Sequence, residues 1–376
     1  MAAGTETIIF GFEHEAPMWA VDDFGIATFE EWKTTTLSLC RRLEQQGFEA
    51  YAEHTANEKH YNQWCVSLDS TMDPGQEMEM QRRAIPIEIK SPKIKLDDEA
   101  VPQMIEKYWK AIEPALLVND VDAYKRCATH YHFSISPMAH ALEKILTFAF
   151  IYCEKDIDDI MPNMTHEDDT KRRGGWKNCR EYTARVQVKP GPGVKIGKDE
   201  EVRKSIDGLR NIWKAIKSTK NHQELHELVN FDTSYYRREH GKQHKNFKVN
   251  INGLKGKTIE FRQWYPARSK QEMMDMTTFL REFLAFAMQI DSEKLDRAAT
   301  GEILFAEAMG RRVAEDERET FRYQEEHWQD HELRTTDTLS LRRYFMPVDK
   351  DPQFWNRLDD ARDRMETDLA ALNEPR

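Results

Sequence analysis

The chain has 376 residues, of which 39% are hydrophobic and 32% are charged, and its formal net charge is −11. A chain of this length can bury a sizeable core, so its folding requires neither disulfides nor a structural metal. An acidic surface repels nucleic acid phosphates and anionic membranes, which disfavours both as general partners. An anionic ligand is still compatible with this charge where a metal ion neutralises it locally.

The five cysteines are widely spaced, and no two of them form a C-x-x-C motif. This usage favours a reduced compartment. The first ten residues lack a basic region followed by an apolar core, so we expect no secretory signal. The longest apolar stretch, around Ile145–Cys153, is too short to span a bilayer. We therefore expect a cytoplasmic protein.

Segments of strand-like and helix-like periodicity alternate irregularly along the chain. The first strand is predicted at Thr7–Glu15, where apolar residues recur at every second position, and the first helix at Phe29–Gln46, which Gly47 closes. Gly253 and Gly256 predict a hairpin turn between the last two strands. Further strands are predicted at 61–69, 84–90, 127–135, 246–252 and 258–264, and further helices at 98–119, 136–159, 201–218, 222–229 and 269–289.

Two helix starts carry capping signals. Ser136 places a hydroxyl before Pro137, and proline suits the first helical position because its fixed φ is helical. Ser269 followed by Glu272 predicts a capping box, in which the two side chains accept hydrogen bonds from free backbone N–H groups. Helices are therefore expected to begin directly after both serines.

Changes in composition predict the domain organisation. Residues 1–290 are expected to form one domain, and residues 291–376, which are charged and mostly helical in pattern, a C-terminal extension packed on the same domain. Segment 161–198 contains Lys171-Arg172-Arg173-Gly174-Gly175 and Gly191-Pro192-Gly193, which predict a mobile loop. A solvated basic loop and a lid over a binding site are equally compatible with this segment.

Four predicted strands carry paired polar residues at positions i and i+2, which project from the same face of a strand. The intervening residues are mostly apolar and can pack against helices on the other face. The same alternation occurs in any sheet with one face in solvent, and that interpretation stays open. The pairs are Glu13 with Glu15, Glu88 with Lys90, His130 with His132, and Glu260 with Arg262.

If these strands share a sheet, one of its faces presents clustered carboxylates, two imidazoles and an arginine. Clustered carboxylates repel one another unless cations neutralise them. Carboxylate oxygens favour Mg²⁺ or Mn²⁺, and Mg²⁺ commonly binds together with substrate phosphates. An arginine beside such a cluster, here Arg262, can neutralise a phosphoryl group during its transfer.

Short motifs built around these pairs follow one another in a recognisable order. They are Gly11-Phe12-Glu13-His14-Glu15, Asp69-Ser70, Ile87-Glu88-Ile89-Lys90-Ser91-Pro92, His130-Tyr131-His132-Phe133, Tyr236-Arg237, Asn250 and Thr258-Ile259-Glu260-Phe261-Arg262. Each motif is short, but their order and spacing together are fairly specific. This order resembles the amidoligase family, a branch of the glutamine synthetase and glutamate–cysteine ligase superfamily, over roughly Ile8 to Met288.

The resemblance implies an α+β fold of the glutamine synthetase catalytic-domain type, with a curved, mainly antiparallel sheet and helices on its outer face. It implies that residues 1–290 form an ATP-dependent carboxylate–amine ligase that makes an amide bond through an acyl phosphate. The partners would be a small-molecule carboxylate and an amine, such as amino-acid-like or other small metabolites. The oligomeric state is open.

The resemblance also implies two or more Mg²⁺ or Mn²⁺ ions. Glu13 and Glu15 are expected to bind different ions, with Glu88 as the partner of Glu15 at the substrate-side ion. His130 and Glu260 are expected to join Glu13 at the nucleotide-side ion.

Further residues are implied to bind the nucleotide or to act on the phosphoryl group. His132 is expected to face the ATP phosphates, and Arg262 to stabilise the phosphoryl group in flight. Arg237 is expected to meet phosphate or the acyl phosphate. Asn250 and Arg180 complete the expected nucleotide and anion contacts.

The motifs depart from the family pattern at two places. Ala128-Thr129 precedes the first histidine where family members often have Cys-Gly, which alters the space beside that histidine. The superfamily usually supplies another carboxylate near the Asp-x-Ser segment, and Asp69 and Asp73 are both candidates.

Other functions are compatible with parts of the pattern. A phosphotransferase of the guanidino-kinase type would phosphorylate nitrogen without forming an amide, but the Glu-x-Glu and His-x-His pairs favour the ligase. A metal-dependent hydrolase using His130, His132 and Glu260 would act without ATP, and a degenerate chain would only bind nucleotide or metal. His222-Gln223-Glu224-Leu225-His226 resembles a zinc-protease helix superficially, because Gln223 stands where the general-base glutamate belongs.

Overall fold

The computed structural model describes residues 7–19, 29–56, 62–68, 84–96, 99–117, 127–136, 139–160, 185–187, 203–205, 208–229, 249–252, 258–327 and 351–373. The chain divides into two compact units. The first unit comprises Met1–Pro137, Ile259–Phe279 and Gln353–Arg376, and the second comprises Met138–Thr258 and Leu280–Pro352. The domain boundary predicted near residue 290 stays a prediction.

The secondary structure mixes strands and helices throughout. The strands are β1 Thr7–Trp19, β2 Ala50–Ala52, β3 Trp64–Leu68, β4 Ala84–Lys90, β5 Ile94–Lys95, β6 Thr129–Ser136, β7 Arg185–Gln187, β8 Arg203–Ser205, β9 Val249–Asn252 and β10 Thr258–Trp264. The helices are α1 Phe29–Gln45, α2 Ala100–Ile112, α3 His140–Tyr152, α4 Glu154–Ile160, α5 Gly208–Ser218, α6 His222–Val229, α7 Lys270–Met288, α8 Ser292–Thr300, α9 Phe305–Ala308, α10 Arg318–Glu326 and α11 Phe354–Asn373. Within the described ranges, no helix combines the length and the apolar character that crossing a membrane requires.

The first unit is built on an open sheet whose hydrogen-bonded strands follow the order β2-β3-β4-β1-β6-β10, with β5 also paired to β1. All of these pairings are antiparallel except that of β2 with β3, which is parallel. This arrangement confirms the predicted α+β class with a mostly antiparallel sheet. The glutamine synthetase type of that fold stays a prediction.

Two sequence predictions about helix starts are wrong. The helix expected after Ser136 begins at His140, because Ser136 ends β6, where it pairs with Thr7 of β1. The helix expected at 201–218 begins at Gly208, whose φ of +75° lies outside the helical region, so no regular helix can run through it. β8 lies in its place and pairs with β7. The predicted loop 161–198 otherwise lies outside the described residues.

Apolar side chains of the sheet point to one face and form the core of the first unit. Phe12 of β1, Trp64 of β3 and Tyr131 of β6 are almost completely buried. Tyr108 of α2 stacks on Trp64 with ring centroids 4.9 Å apart and meets Phe12 edge-on at 5.2 Å. Burial of each such ring stabilises the fold by roughly 1.5–3 kcal/mol of transfer free energy. The face of β1 that carries Phe12 is therefore the buried one.

One polar residue, His14, also lies on the buried face of β1. Its Nε2 is 3.1 Å from the carbonyl oxygen of Ala267, which can only accept, so Nε2 carries the hydrogen and donates a hydrogen bond to that oxygen. The Tyr108 hydroxyl donates a hydrogen bond to Nδ1 at 2.7 Å. Burial lowers the pKa of His14 to about 4, which keeps the ring neutral. Thr129 Oγ1 accepts a hydrogen bond from the N–H of Ala267 at 3.0 Å. The segment after β10 is thereby held to both β1 and β6.

The predicted capping box at the start of α7 is present. Ser269 Oγ accepts a hydrogen bond from the N–H of Glu272 at 3.2 Å, and Glu272 Oε2 accepts one from the N–H of Arg268 at 2.8 Å. The returning bond reaches one residue further back than in the simplest form of the motif. Free N–H groups at the helix start are thus satisfied by side chains.

Ion pairs join α11 to the first turns of α7. The Arg357 guanidinium contacts both carboxylate oxygens of Asp275, at 2.6 Å and 2.8 Å. Arg364 lies 3.2 Å from Glu272, and Arg268 pairs with Asp368. Bidentate arginine–carboxylate pairs are among the stronger and more directional contacts of this kind.

The second unit has its own aromatic core and a buried acid. Phe148 of α3 contacts Trp213 of α5 and Phe305 of α9, with centroids 5.3 Å and 5.2 Å apart. Glu325 of α10 is buried, and its carboxylate accepts a hydrogen bond from the N–H of Ala306 at 2.9 Å. Burial raises the pKa of Glu325 to about 7, although that hydrogen bond opposes the shift.

We expect the Glu325→Gln variant to lose part of the pH dependence of stability. The folded chain keeps the Glu325 proton up to about pH 7, whereas the carboxyl ordinarily has a pKa of 4.5. The folded state therefore binds more protons in this window, and the free energy of unfolding falls as the pH rises through it, by up to about 3 kcal/mol. Glutamine keeps an oxygen for Ala306 but does not titrate, so this fall should be absent from the variant.

Urea unfolding from pH 4.5 to pH 8 measures the effect. Glu319→Gln is a matched control, because Glu319 is an exposed glutamate on the same helix. The control should keep the pH dependence of the wild type. An identical pH dependence in wild type and Glu325→Gln would contradict the assignment.

Candidate active site

The strand register brings the predicted polar pairs to one face of the sheet, and an ion pair with Glu260 places Arg262 beside them. Cross-strand partners in an antiparallel pair point to the same side, so each pairing extends the face by one strand. Glu13 of β1 is paired with Lys90 of β4 on one side and with His130 of β6 on the other. Glu15 is paired with Glu88, and His132 with Glu260 of β10.

Three of these side chains converge closely enough to hold one cation. The ligand atoms of Glu13, His132 and Glu260 all lie within 4.8 Å of one another. His132 Nε2 is 3.5 Å from Glu13 Oε1 and 3.8 Å from Glu260 Oε1, which is too long for hydrogen bonds. Ligands about 2.1 Å from a shared Mg²⁺ are spaced roughly 3–4 Å apart, so the observed spacing fits such an ion.

His130 lies deeper, among three carboxylates. Its side chain is 2% exposed, and its Nδ1 lies 3.6 Å from Glu15 and 3.7 Å from both Glu13 and Glu260. Burial and the nearby Arg262 lower the pKa of His130, although the carboxylates oppose this. A neutral imidazole can offer a lone pair to a metal ion, so His130 is suited to join the three converging residues.

The outer histidine has the opposite electrostatic balance. Burial alone would lower the pKa of His132, but the neighbouring Glu13 and Glu260 outweigh it, and the pKa is raised. The two histidines of the His-x-His motif are therefore not equivalent. His132 is protonated more readily than His130, and its side chain is the more exposed of the two.

The carboxylates of this centre stay ionised despite their burial. Burial raises the pKa of Glu13, but His130 and His132 beside it lower the pKa well below its ordinary value. Burial also raises the pKa of Glu260, and Arg262 provides the largest opposing effect, which brings the pKa below its usual range. The Arg262 guanidinium is ion-paired with Glu260. Arg262 is thus held directly beside Glu260, one of the three residues whose ligand atoms converge.

Glu88 has different surroundings. Its Oε2 lies 2.5 Å from Lys90 Nζ and accepts a hydrogen bond from Ser67 Oγ at 3.2 Å. Burial would lower the pKa of Lys90, but Glu88 outweighs it, so the pKa is raised and the ammonium stays charged. Glu88 is the cross-strand partner of Glu15, and its carboxylate contacts this ammonium. Its expected role as a metal ligand together with Glu15 stays a prediction.

Of the five remaining predicted residues, the structure describes one. Asn250 lies on β9, in the second unit, and is buried. Arg180, Arg237, Asp69 and Asp73 lie outside the described residues. Their assignments stay predictions.

Sequence reasoning missed two contributions. The sequence indicates no role for Ser67, because its contact with Glu88 follows from the pairing of β3 with β4, which the pattern of a single strand does not reveal. For Lys90 the sequence indicates only that it shares a face with Glu88 at i+2. The i+2 spacing was itself the available signal, because it predicted that both side chains share a face.

Comparison with known protein families gives a match over most of the chain. A family model described as "Putative amidoligase enzyme" matches residues 7–284. No curated protein and no solved structure matches the chain. The matched segment contains every described residue of the face built by Glu13, Glu15, Glu88, His130, His132, Glu260 and Arg262.

If the three converging residues hold a cation, Mn²⁺ should stabilise the folded chain. A ligand that binds only the folded state adds about 2.7 kcal/mol to the free energy of unfolding at a concentration 100 times its Kd. We expect added Mn²⁺ to raise the Tm of the wild type. We expect Glu260→Gln, which removes one charged ligand, to lose most of this increase.

Thermal melting with and without Mn²⁺ measures the difference. Glu113→Gln makes the same change of charge at an exposed position of the first unit and should respond to Mn²⁺ like the wild type. An equal rise in Tm for Glu260→Gln and the wild type would remove Glu260 from the ligand set.

Proposed function

The chain belongs to the amidoligase family, and from this premise we propose that it is an ATP-dependent ligase that joins a carboxylate to an amine. Family membership supports a ligase-type enzyme. The observation that carries the finer proposal is the convergence of Glu13, His132 and Glu260 beside the ion-paired Arg262. A cation position next to a fixed guanidinium suits the transfer of a phosphoryl group, in which negative charge spreads over several oxygens.

In this proposal Glu13, His132 and Glu260 bind a Mg²⁺ or Mn²⁺ ion, with His130 behind them. The donor set supports this, because carboxylate oxygens suit Mg²⁺ and a histidine nitrogen adds some preference for Mn²⁺. When bound, the ion neutralises phosphate charge and aligns the reacting groups. The burial of Glu260 and His130 supports a rigid set of ligands that needs little rearrangement.

The basic and polar residues of the proposal act on the nucleotide and on the phosphoryl group. Arg262 is proposed to stabilise the group in flight, with Arg237 at phosphate or at the acyl phosphate. His132 is proposed to stand near the ATP phosphates as well as at the ion, which its spacing to both carboxylates permits. Asn250 and Arg180 stay proposed nucleotide contacts.

The proposed reaction has two steps. In the first, an oxygen of the acid substrate attacks the γ-phosphorus of ATP, the bond to the leaving oxygen of ADP breaks, and an acyl phosphate forms. In the second, the amine nitrogen attacks the acyl carbon, the carbon–oxygen bond to phosphate breaks, and the amine loses a proton. The acyl phosphate must be kept from water between the steps, for which residues 161–198 are the proposed lid.

The chemical class of the substrates follows from this reaction. The acid is a small carboxylate and the partner is a small amine, of amino-acid-like or similar metabolite type. The open sheet is proposed to be of the glutamine synthetase catalytic-domain type. This would place the reaction on the face that carries the charged pairs.

A screen of acids against amines with ATP and Mg²⁺ or Mn²⁺ tests the activity. We expect ADP and phosphate to be released together only when a matching acid and amine are both present, with an amide detected by mass spectrometry. Release of ADP with a phosphorylated nitrogen product would instead establish a phosphotransferase. Substrate cleavage without ATP would establish a hydrolase, and binding of nucleotide without any turnover a degenerate chain.

Arg262→Ala separates catalysis from ion binding. Removing a charge that acts on the transition state should lower kcat about 10²–10³-fold. Mn²⁺ affinity should be kept or increased, because Glu260 loses a cation that competes for its carboxylate. Arg262→Lys keeps the charge but not the planar fork, so it should recover only part of kcat. Loss of Mn²⁺ binding in Arg262→Ala, or an unchanged kcat, would contradict the assigned role.

A further inference from the structure

An ammonium group lies on the charged face of the sheet at the end away from Glu260. Lys90 Nζ is 2.5 Å from Glu88 Oε2, and both side chains are less than one third exposed. Lys90 is the cross-strand partner of Glu13, and Glu88 is the partner of Glu15. Lys90 and Glu88 are therefore held opposite the two residues that begin and end the Glu-x-Glu motif.

Glu15 and Glu88 favour a positive charge beside them. They are directly opposite each other in the β1–β4 pair, where two like charges destabilise a sheet. Glu15 is buried, so solvent screens this repulsion only weakly. A metal ion or a cationic side chain can supply the compensating charge, and Lys90 supplies one at hydrogen-bonding distance.

The ammonium and a divalent cation compete for the same oxygens. At 2.5 Å the Lys90 ammonium contacts Glu88 Oε2 directly, with no water between them, so this oxygen is already bound to a cation. Ser67 donates a hydrogen bond to the same Oε2 atom. Among the described residues, the atoms that converge for a metal ion are those of Glu13, His132 and Glu260, and Glu88 is not one of them.

We propose that the Lys90 ammonium takes the place of a second metal ion at Glu88, which is opposite Glu15 in the β1–β4 pair. The face then works with a divalent cation at Glu13, His132 and Glu260 and with a fixed ammonium at the opposite end. This departs from the sequence-based expectation of a second ion shared by Glu15 and Glu88. The inference rests on the proposed function, because the first ion belongs to it.

Because its ammonium stands in for a metal ion, Lys90 has a role in the reaction. The ammonium provides a permanent positive charge where the acid substrate would otherwise meet a metal ion. A lysine charge does not depend on the concentration of free metal, so the acid end of the site stays charged when metal is scarce. Lys90 is thus a positioning residue, whose removal should change the number of ions bound and not only the rate.

The test is a count of Mn²⁺ ions per chain by calorimetric titration and by electron paramagnetic resonance. We expect Lys90→Met to bind one more equivalent of Mn²⁺ than the wild type, because Glu88, opposite Glu15, loses its fixed cation. Two ions a few ångströms apart should also broaden the resonance of the variant by magnetic coupling. Lys90→Arg keeps the positive charge and should bind the same number of ions as the wild type.

A double variant locates the added ion. Lys90→Met combined with Glu88→Gln should return to the stoichiometry of the wild type, since the ligand exposed by the first change is removed by the second. Lys90→Gln provides a second uncharged variant should Lys90→Met fold poorly, and circular dichroism checks folding in each case. An added ion that persists in the double variant would overturn the inference.

The outcomes separate this inference from the proposed function. No added ion in either uncharged variant would overturn the role of Lys90, while Mn²⁺ bound by the wild type would leave the proposed metal centre intact. Failure of the wild type to bind any Mn²⁺ would overturn that centre, and the Lys90 inference would still be decided by the difference between variant and wild type.

Discussion

Strand β1 pairs with β4 on one side and with β6 on the other, and the charged face depends on both registers. Side chains alternate along a strand, so a slip of one residue would turn Glu13 and Glu15 into the aromatic core and Phe12 out of it. The core side of β1 resists this, because Phe12 and His14 contact Tyr108 there. The apolar packing of one face thereby determines the chemistry of the other.

The charged face is stable because its charges are compensated locally. Its carboxylates are interleaved with imidazoles, a guanidinium and an ammonium. The two histidines lower the pKa of Glu13, and mainly Arg262 lowers that of Glu260, by more than burial raises them. Uneven compensation gives the face two ends. At one end three ligand atoms lie within 4.8 Å of one another, a spacing suited to an ion. At the other end a carboxylate is already bound to Lys90.

The sequence predicted the face well because its signal is local. β4 and β10 begin and end at the predicted residues, since alternating apolar side chains between turn residues specify a strand without reference to the rest of the chain. The i+2 spacing then predicted which side chains share a side. The capping box of α7 was predictable for the same reason.

What the sequence did not predict depends on pairing between distant segments. Ser136 has the chemistry of a helix cap, but its backbone pairs with Thr7, and this contact is only known once the sheet is assembled. The short pairing of β7 with β8 displaced a predicted helix in the same way. The role of Ser67 depends on the pairing of β3 with β4, so no pattern within one strand could reveal it.

The ion pairs between α7 and α11 bear on how far the functional chain extends. The family model ends at residue 284, but Arg357 and Arg364 lie beyond it and neutralise Asp275 and Glu272 within the matched segment. An expression clone cut at the end of the family match would leave these two acids without their guanidinium groups. It would also uncover Phe279, which contacts Trp355 of α11. Helix α11 is therefore part of the first unit's own structure, and a clone that ends at residue 284 would lack contacts on which that unit depends.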